Sequence, residues 1–136
     1  MSNIETTDID IGGVLIRDGE YADGILDIAG AGTFKEGLIL ARDSVSLKLV
    51  PFVKGGNTNG NGIPKAVLPY DVVAATSADQ VVRVLTGGVL NKERLIVLAD
   101  GDASNVDNAV IDQLRDYGLR AEKVQQLSHN PADDDS

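Results

Sequence analysis

The residues able to do chemistry are few and are not spaced to do it together. His129 is the single histidine, and it stands beside Asn130 and Pro131 in a polar tail, whereas an imidazole base works from a fixed partner in a closed pocket. There is no cysteine, which removes disulfides, thiolate metal sites and cysteine nucleophiles together and leaves the redox compartment open. Glycines 30, 32 and 37 in "GAGTFKEG" approach a dinucleotide fingerprint. That motif needs G-x-G-x-x-G between a strand and a helix; here the third glycine is displaced and no helical pattern follows, so a turn is the better reading. "DGDASN" at 100–105 opens like a calcium loop, yet its sixth residue is Asn105 in place of Gly and its twelfth is Ile111 in place of Glu. An Asp-rich turn ahead of a helix accounts for it, because carboxylates suit the positive end of a helix. Asp133, Asp134 and Asp135 read as a solubilising run. Any two carboxylates can meet in a fold, but nothing marks such a pair, and no catalytic, cofactor or metal residue is assigned.

The elements that would position these groups are mostly strands. A chain of 136 residues with 43% hydrophobic content suits one domain, and with 4% aromatics and no Trp its core rests on Val, Leu, Ile and Ala. Each such side chain, fully buried, contributes about 1.5 to 3 kcal/mol. From Gly24 onward, "GILDIAG", "GLILARD", "LKLVPFV", "KAVLPYDVVA", "QVVRVLTGGVL" and "RLIVLAD" are all about strand length. Pro51 and Pro69 lie inside two of them, which predicts edge strands or bulges, since proline cannot donate to a ladder. Gly87 and Gly88 are expected to break or turn the strand that begins near Gln80. "GGNTNGNG" at 55–62 holds no nucleophile, base or charge and reads as connective.

One segment has a different period. In "SNVDNAVIDQLRDYGLR", Val106, Ala109, Val110, Leu114 and Tyr117 follow helical spacing, with Ile111 widening the stripe. Ser104 is the expected N-cap, Asp107 its capping-box partner, and Gly118 the C-terminal reversal. "LRAEKVQQL" is expected to return to the sheet as a final strand, and "SHNPADDDS" to be a solvated tail.

The net charge of −9 argues against nucleic acid, whose phosphates the surface would repel. No apolar run approaches the roughly 20 residues that span a bilayer, and "MSNIETTDIDIGG" lacks the basic-then-apolar order of a leader. The expectation is a soluble, unprocessed protein without a membrane partner. Residues 1–20 are acidic and sparse in large apolar groups, with Ile4, Ile9 and Ile11 set among Glu5, Asp8 and Asp10. Ile9 and Ile11 share one face of an extended chain. Such an arm can add a strand to a partner, or form an edge strand of its own sheet or a frayed end.

From "TFKEGLILARD" through "LKLVPF", the Gly-rich loop, "AVLPYDV" and "VVRVLTGGVLN" to a helix ending in "YGL", the order of elements resembles the head decoration proteins of lambda-type tailed bacteriophages, over roughly residues 24–125. The resemblance implies a mainly β fold with one C-terminal helix (α+β), a small β-barrel-like or β-tulip domain with an extended N-terminal arm. The expected division is an arm over 1–20, a decoration domain over 21–127 and an acidic tail over 128–136, the tail lying outside the family pattern. The resemblance further implies a non-enzymatic homotrimer on the outer surface of the virion capsid, made in the bacterial cytoplasm. It would bind the major capsid protein at threefold and quasi-threefold sites of the expanded head and hold the shell against DNA pressure. The capsid-binding arm would comprise Ile4, Ile9, Ile11, Val14 and Ile16. Two alternatives stand beside it: another virion part such as a tail or spike component, and a small β-rich enzyme.

Overall fold

The computed structural model describes residues 13–28, 32–74 and 79–122. Among these residues there are eight strands: β1 (Leu15–Leu26), β2 (Gly32–Phe34), β3 (Ile39–Arg42), β4 (Leu49–Pro51), β5 (Pro64–Val67), β6 (Val72–Ala74), β7 (Gln80–Asn91) and β8 (Leu119–Glu122). A 3-10 turn spans Lys92–Arg94 and one helix, α1, spans Asn108–Asp116. The main sheet runs β1-β4-β3-β5-β7-β8, and β1 also pairs with β7. That extra pairing closes five strands into a barrel, with β8 added in parallel along the end of β7. β2 and β6 form a separate antiparallel pair. The fold is the small β-barrel with a C-terminal helix that the sequence predicts.

Closure rests on the two long strands, and here the structure departs from the sequence reading. β7 runs through Gly87 and Gly88 without ending. The register between β1 and β7 slips three times between Leu15 and Tyr21, and Asp18 takes a positive φ of 60°. A bulged strand bends sharply, which a small barrel needs in order to close. Gly88 lies opposite that bulge with a φ of +127°, and a Cβ on it would sit 3.0 Å from the Asp18 carbonyl oxygen. The glycine therefore admits the close approach of two backbones instead of stopping the strand.

β1 also starts earlier than expected. Residues 15–20, assigned from the sequence to the arm, lie within it, so the barrel domain reaches past the expected boundary at residue 21. "KAVLPYDVVA" is two strands with Pro69 at the bend between them. Pro51 stands in β4 opposite Leu40, while the next residue, Phe52, donates its N–H to the Ile39 carbonyl at 2.9 Å. β4 is an inner strand, not the edge or bulged strand expected, and it tolerates Pro51 because its only described pairing with β1 is at Leu49.

"RLIVLAD" is not a strand. It leaves the 3-10 turn and makes only the isolated bridges Leu38 to Ile96 and Val97 to Asp102. Leu95 and Val97 are buried, and the segment crosses the backbone at Gly37, where any Cβ would collide with the Arg94 carbonyl oxygen. Leu95 and Val97 pack into the core that α1 covers, whereas Leu98 is 50% exposed, so the segment adds no strand to the sheet.

α1 is capped by Asp107, whose Oδ1 accepts from the Val110 N–H at 3.2 Å; Ser104, three residues earlier, is not the cap. Val106, Val110 and Leu114 are buried as the stripe predicts, whereas Ala109 is exposed and Tyr117 is 41% exposed, covered on one side by the Lys65 ammonium 4.0 Å from its ring centroid. Gly118 reverses the chain with a φ of +88° and β8 follows, as expected. The helix packs on a core that includes Phe52, Leu85, Leu90 and Leu119. A second core, with Leu26, Leu40, Leu49, Leu68 and Val84, lies on the opposite face of the sheet, since neighbours such as Ile39 and Leu40 divide between the two.

Candidate functional site

Three surface features have the geometry of contact sites. The first is the root of the N-terminal segment. Val14 is fully buried; its N–H donates to Glu36 Oε2 at 2.9 Å and its carbonyl accepts from the Asn91 N–H at 2.7 Å. Glu36 is itself placed by its own N–H, which donates to Asp71 Oδ1 at 2.7 Å. Asn91, 8% exposed, accepts the Glu93 N–H on its side-chain oxygen and so starts the 3-10 turn. An open groove of about 680 Å³ runs beside this root, lined by Lys35, Glu36, Asp71 and Arg94 among others.

Of the residues assigned to the arm, the structure brings Val14 into the core and Ile16, half-buried, into β1. Ile4, Ile9 and Ile11 lie outside the described residues, as do His129, Asp133, Asp134 and Asp135. The segment that precedes Val14 thus starts from a point fixed by two hydrogen bonds and a buried side chain.

The second feature is the outer face of β1 and β7. Ile25 pairs with Val81 and Asp23 with Arg83. Ile25 is 46% exposed, Val81 75% and Tyr21, two residues from Asp23 on the same face, 42%. Arg83 lies 3.9 Å from Asp23 and 5.7 Å from the centre of the Tyr21 ring. An exposed ion pair of this length contributes little to stability, so these side chains are available to a partner. Which residues of "YADGILD" and "VVRVL" share this exposed face is legible only once the two strands are paired.

The third is the glycine-rich loop, which is more than connective. Lys54 Nζ is 2.6 Å from Asp107 Oδ2 at the helix cap, and Gln113 donates to the Gly62 carbonyl at 3.3 Å. A Cβ on Gly62 would collide with the Gly56 carbonyl oxygen. Asn61 accepts the Thr58 N–H at 3.1 Å, and the Asn59 carbonyl takes the Ser44 N–H at 2.9 Å. The loop is folded against both the helix and the turn at Asp43.

The electrostatics of the described residues are those of turns and caps. The Lys48 ammonium, and then the Ile28 N–H, hold the Asp79 carboxyl below its ordinary value; Lys54 and the Val110 N–H do the same for Asp107. Asp43 is lowered by the N–H groups of Ser46 and Val45, and Asp102 by the hydroxyl and N–H of Ser104. Asp79, just ahead of β7, pins that strand to Ile28, two residues past the end of β1, accepting the Ile28 N–H at 3.0 Å and pairing with Lys48 at 2.5 Å. Each lowered carboxyl thus has a local structural partner. Among the described residues no group of three or more His, Cys, Asp or Glu side chains is placed to hold a metal ion, and no helix is long and apolar enough to cross a membrane.

Fold and surface together define a small closed β-barrel that presents contact faces and an anchored terminal segment. The chain belongs to the bacteriophage lambda head decoration protein D family, whose model matches residues 14–119. Members of that family are structural parts of the phage head, so the chain's role is decoration of a capsid and its place is on the capsid's outer surface. No curated protein matches the chain. The match begins at Val14, the residue at which the structure anchors the chain.

Proposed function

We propose that the protein is a cementing subunit that acts as a homotrimer at the threefold and quasi-threefold sites of an expanded phage head and stabilises it against internal DNA pressure. The observation that carries this reading is the family match over the whole barrel and helix. Residues 1–13, with Ile4, Ile9 and Ile11, serve as the strand that joins the major capsid protein. Val14 and Ile16 anchor that strand to the barrel rather than contact the capsid. Strand addition to an exposed sheet edge supplies backbone hydrogen bonds and pockets for alternate side chains, which suits the Ile9 and Ile11 pattern.

The exposed Tyr21, Ile25 and Val81 face supports assembly, because an apolar patch on an otherwise charged surface favours a partner. A closed cyclic oligomer lets one trimer touch several capsid subunits, and weak contacts then combine through effective concentration. A ligand of the assembled shell stabilises it by mass action, which requires neither an enzyme nor a cofactor, and the chain's −9 charge disfavours contact with the packaged nucleic acid.

The test is a pull-down against expanded and unexpanded capsids, followed by DNA release from bare and decorated heads on heating. Binding to the expanded form alone, with release shifted to higher temperature, is the expected result. Binding to tail structures in place of heads, or equal release curves, would overturn it.

A further inference from the structure

We propose that Asn59 is a self-modifying site, at which the Gly60 backbone nitrogen displaces the side-chain amide and leaves aspartate and isoaspartate in the glycine-rich loop. This inference stands apart from the decoration role and survives its failure. Three asparagines occupy the loop, each followed by a small or hydroxyl residue: Asn57–Thr58, Asn59–Gly60 and Asn61–Gly62. The fold sets them in different states. Asn59 is exposed and has a positive φ of 49°; its side-chain amide makes no hydrogen bond with another described residue, and neither does the Gly60 N–H. Among the described residues nothing holds the nucleophile or the electrophile, and Gly60 has no Cβ to hinder their approach.

The other two sites are held. Asn61 is half-buried, its Oδ1 accepts the Thr58 N–H at 3.1 Å, and its side chain packs against Gly56. The nucleophile for Asn57 is that same Thr58 nitrogen, already committed to Asn61 and flanked by a β-branched side chain. The reaction at Asn59 is balanced by water alone. The Gly60 nitrogen loses its proton and bonds to Asn59 Cγ, ammonia leaves with that proton, and a five-membered imide forms. Water then opens the imide at either carbonyl, giving aspartate by one route and isoaspartate by the other. No electron transfer takes place. Each event adds one negative charge to a chain already at −9. The isoaspartate route also inserts a methylene into the main chain beside the carbonyl that accepts the Ser44 N–H.

The experiment ages the purified full chain in warm, mildly alkaline buffer made with heavy-oxygen water. Peptide mass spectrometry then locates the labelled acid, and hydrogen exchange follows the Ser44 amide. Conversion at Asn59 about fivefold or more faster than at Asn61 is expected, since one restraining hydrogen bond is worth that factor in rate, together with faster exchange at Ser44. Asn59→Gly, which tolerates the positive φ, should abolish the first acidic species while leaving the fold and the fresh protein's exchange pattern intact. Label appearing at Asn61 as fast as at Asn59, or no label in the loop when an unstructured Asn–Gly peptide of the same sequence is fully converted, would overturn the proposal.

Discussion

The backbone N–H of Val14 donates to Glu36 Oε2 at 2.9 Å, across 22 residues of sequence. This contact fixes where the N-terminal segment leaves the barrel. Glu36→Ala strands a part-buried N–H, at a cost of about 1 to 3 kcal/mol. Chemical denaturation should show that loss, with Glu36→Gln recovering much of it because an amide oxygen can still accept.

Deleting residues 1–12 removes no described contact and should leave the denaturation midpoint unchanged while weakening capsid binding. Extending the deletion through Val14 removes a fully buried side chain and should destabilise the barrel as well. Equal capsid binding by the shorter deletion and the full chain would show that the segment has no docking role.

Leu114 is fully buried between α1 and the barrel. Leu114→Ala should cost about 2 to 5 kcal/mol, read from urea unfolding. An unchanged midpoint would mean that the helix does not pack as described.

Gly88→Ala forces a side chain into a φ of +127° and to within 3.0 Å of the Asp18 carbonyl oxygen. The expected loss is about 1 to 3 kcal/mol, larger than for alanine at the exposed Gly101, where a Cβ meets nothing within 4 Å and only the positive φ is strained. Thermal melts of the two variants test the order.

Acid should loosen the seam between β1 and β7. The Asp79 carboxyl, held below its ordinary value of 3.8 by Lys48 and the Ile28 N–H, contributes stability above that value and loses it as pH falls through its lowered one. Lys48, raised above 10.5 by the same partner, contributes below that value and loses it as pH rises through its raised one. Asp79→Asn should therefore flatten the acid limb of a stability-against-pH curve; an acid limb identical to that of the unmodified chain would rule out this seam as its origin.

Much of the molecule was legible along the chain because its causes are local. Val110 and Leu114 mark the buried face of α1 by spacing alone, Gly118 marks its end, and the apolar runs at 39–42, 49–51 and 64–67 mark strands. The absence of cysteine and the solitary His129 narrow the chemistry without any structure. What tertiary structure alone decided is which segments meet. Gly87 and Gly88 look like a break until β1 is laid beside them with its bulge at Asp18. "RLIVLAD" has the composition of a strand, yet it makes only isolated bridges at Ile96 and Val97, and Leu95 and Val97 turn into the core that α1 covers. Ala109 and Tyr117 fit the helical stripe by spacing but stay exposed, Ala109 in the first turn and Tyr117 at the C-cap. Val14 reads as part of an acidic arm until Glu36 and Asn91, distant in sequence, take up its two backbone groups. Local propensity and periodicity depend on neighbours a few residues apart, whereas strand partners, bulge positions and the point where an arm becomes a core are set by contacts between residues that only folding brings together.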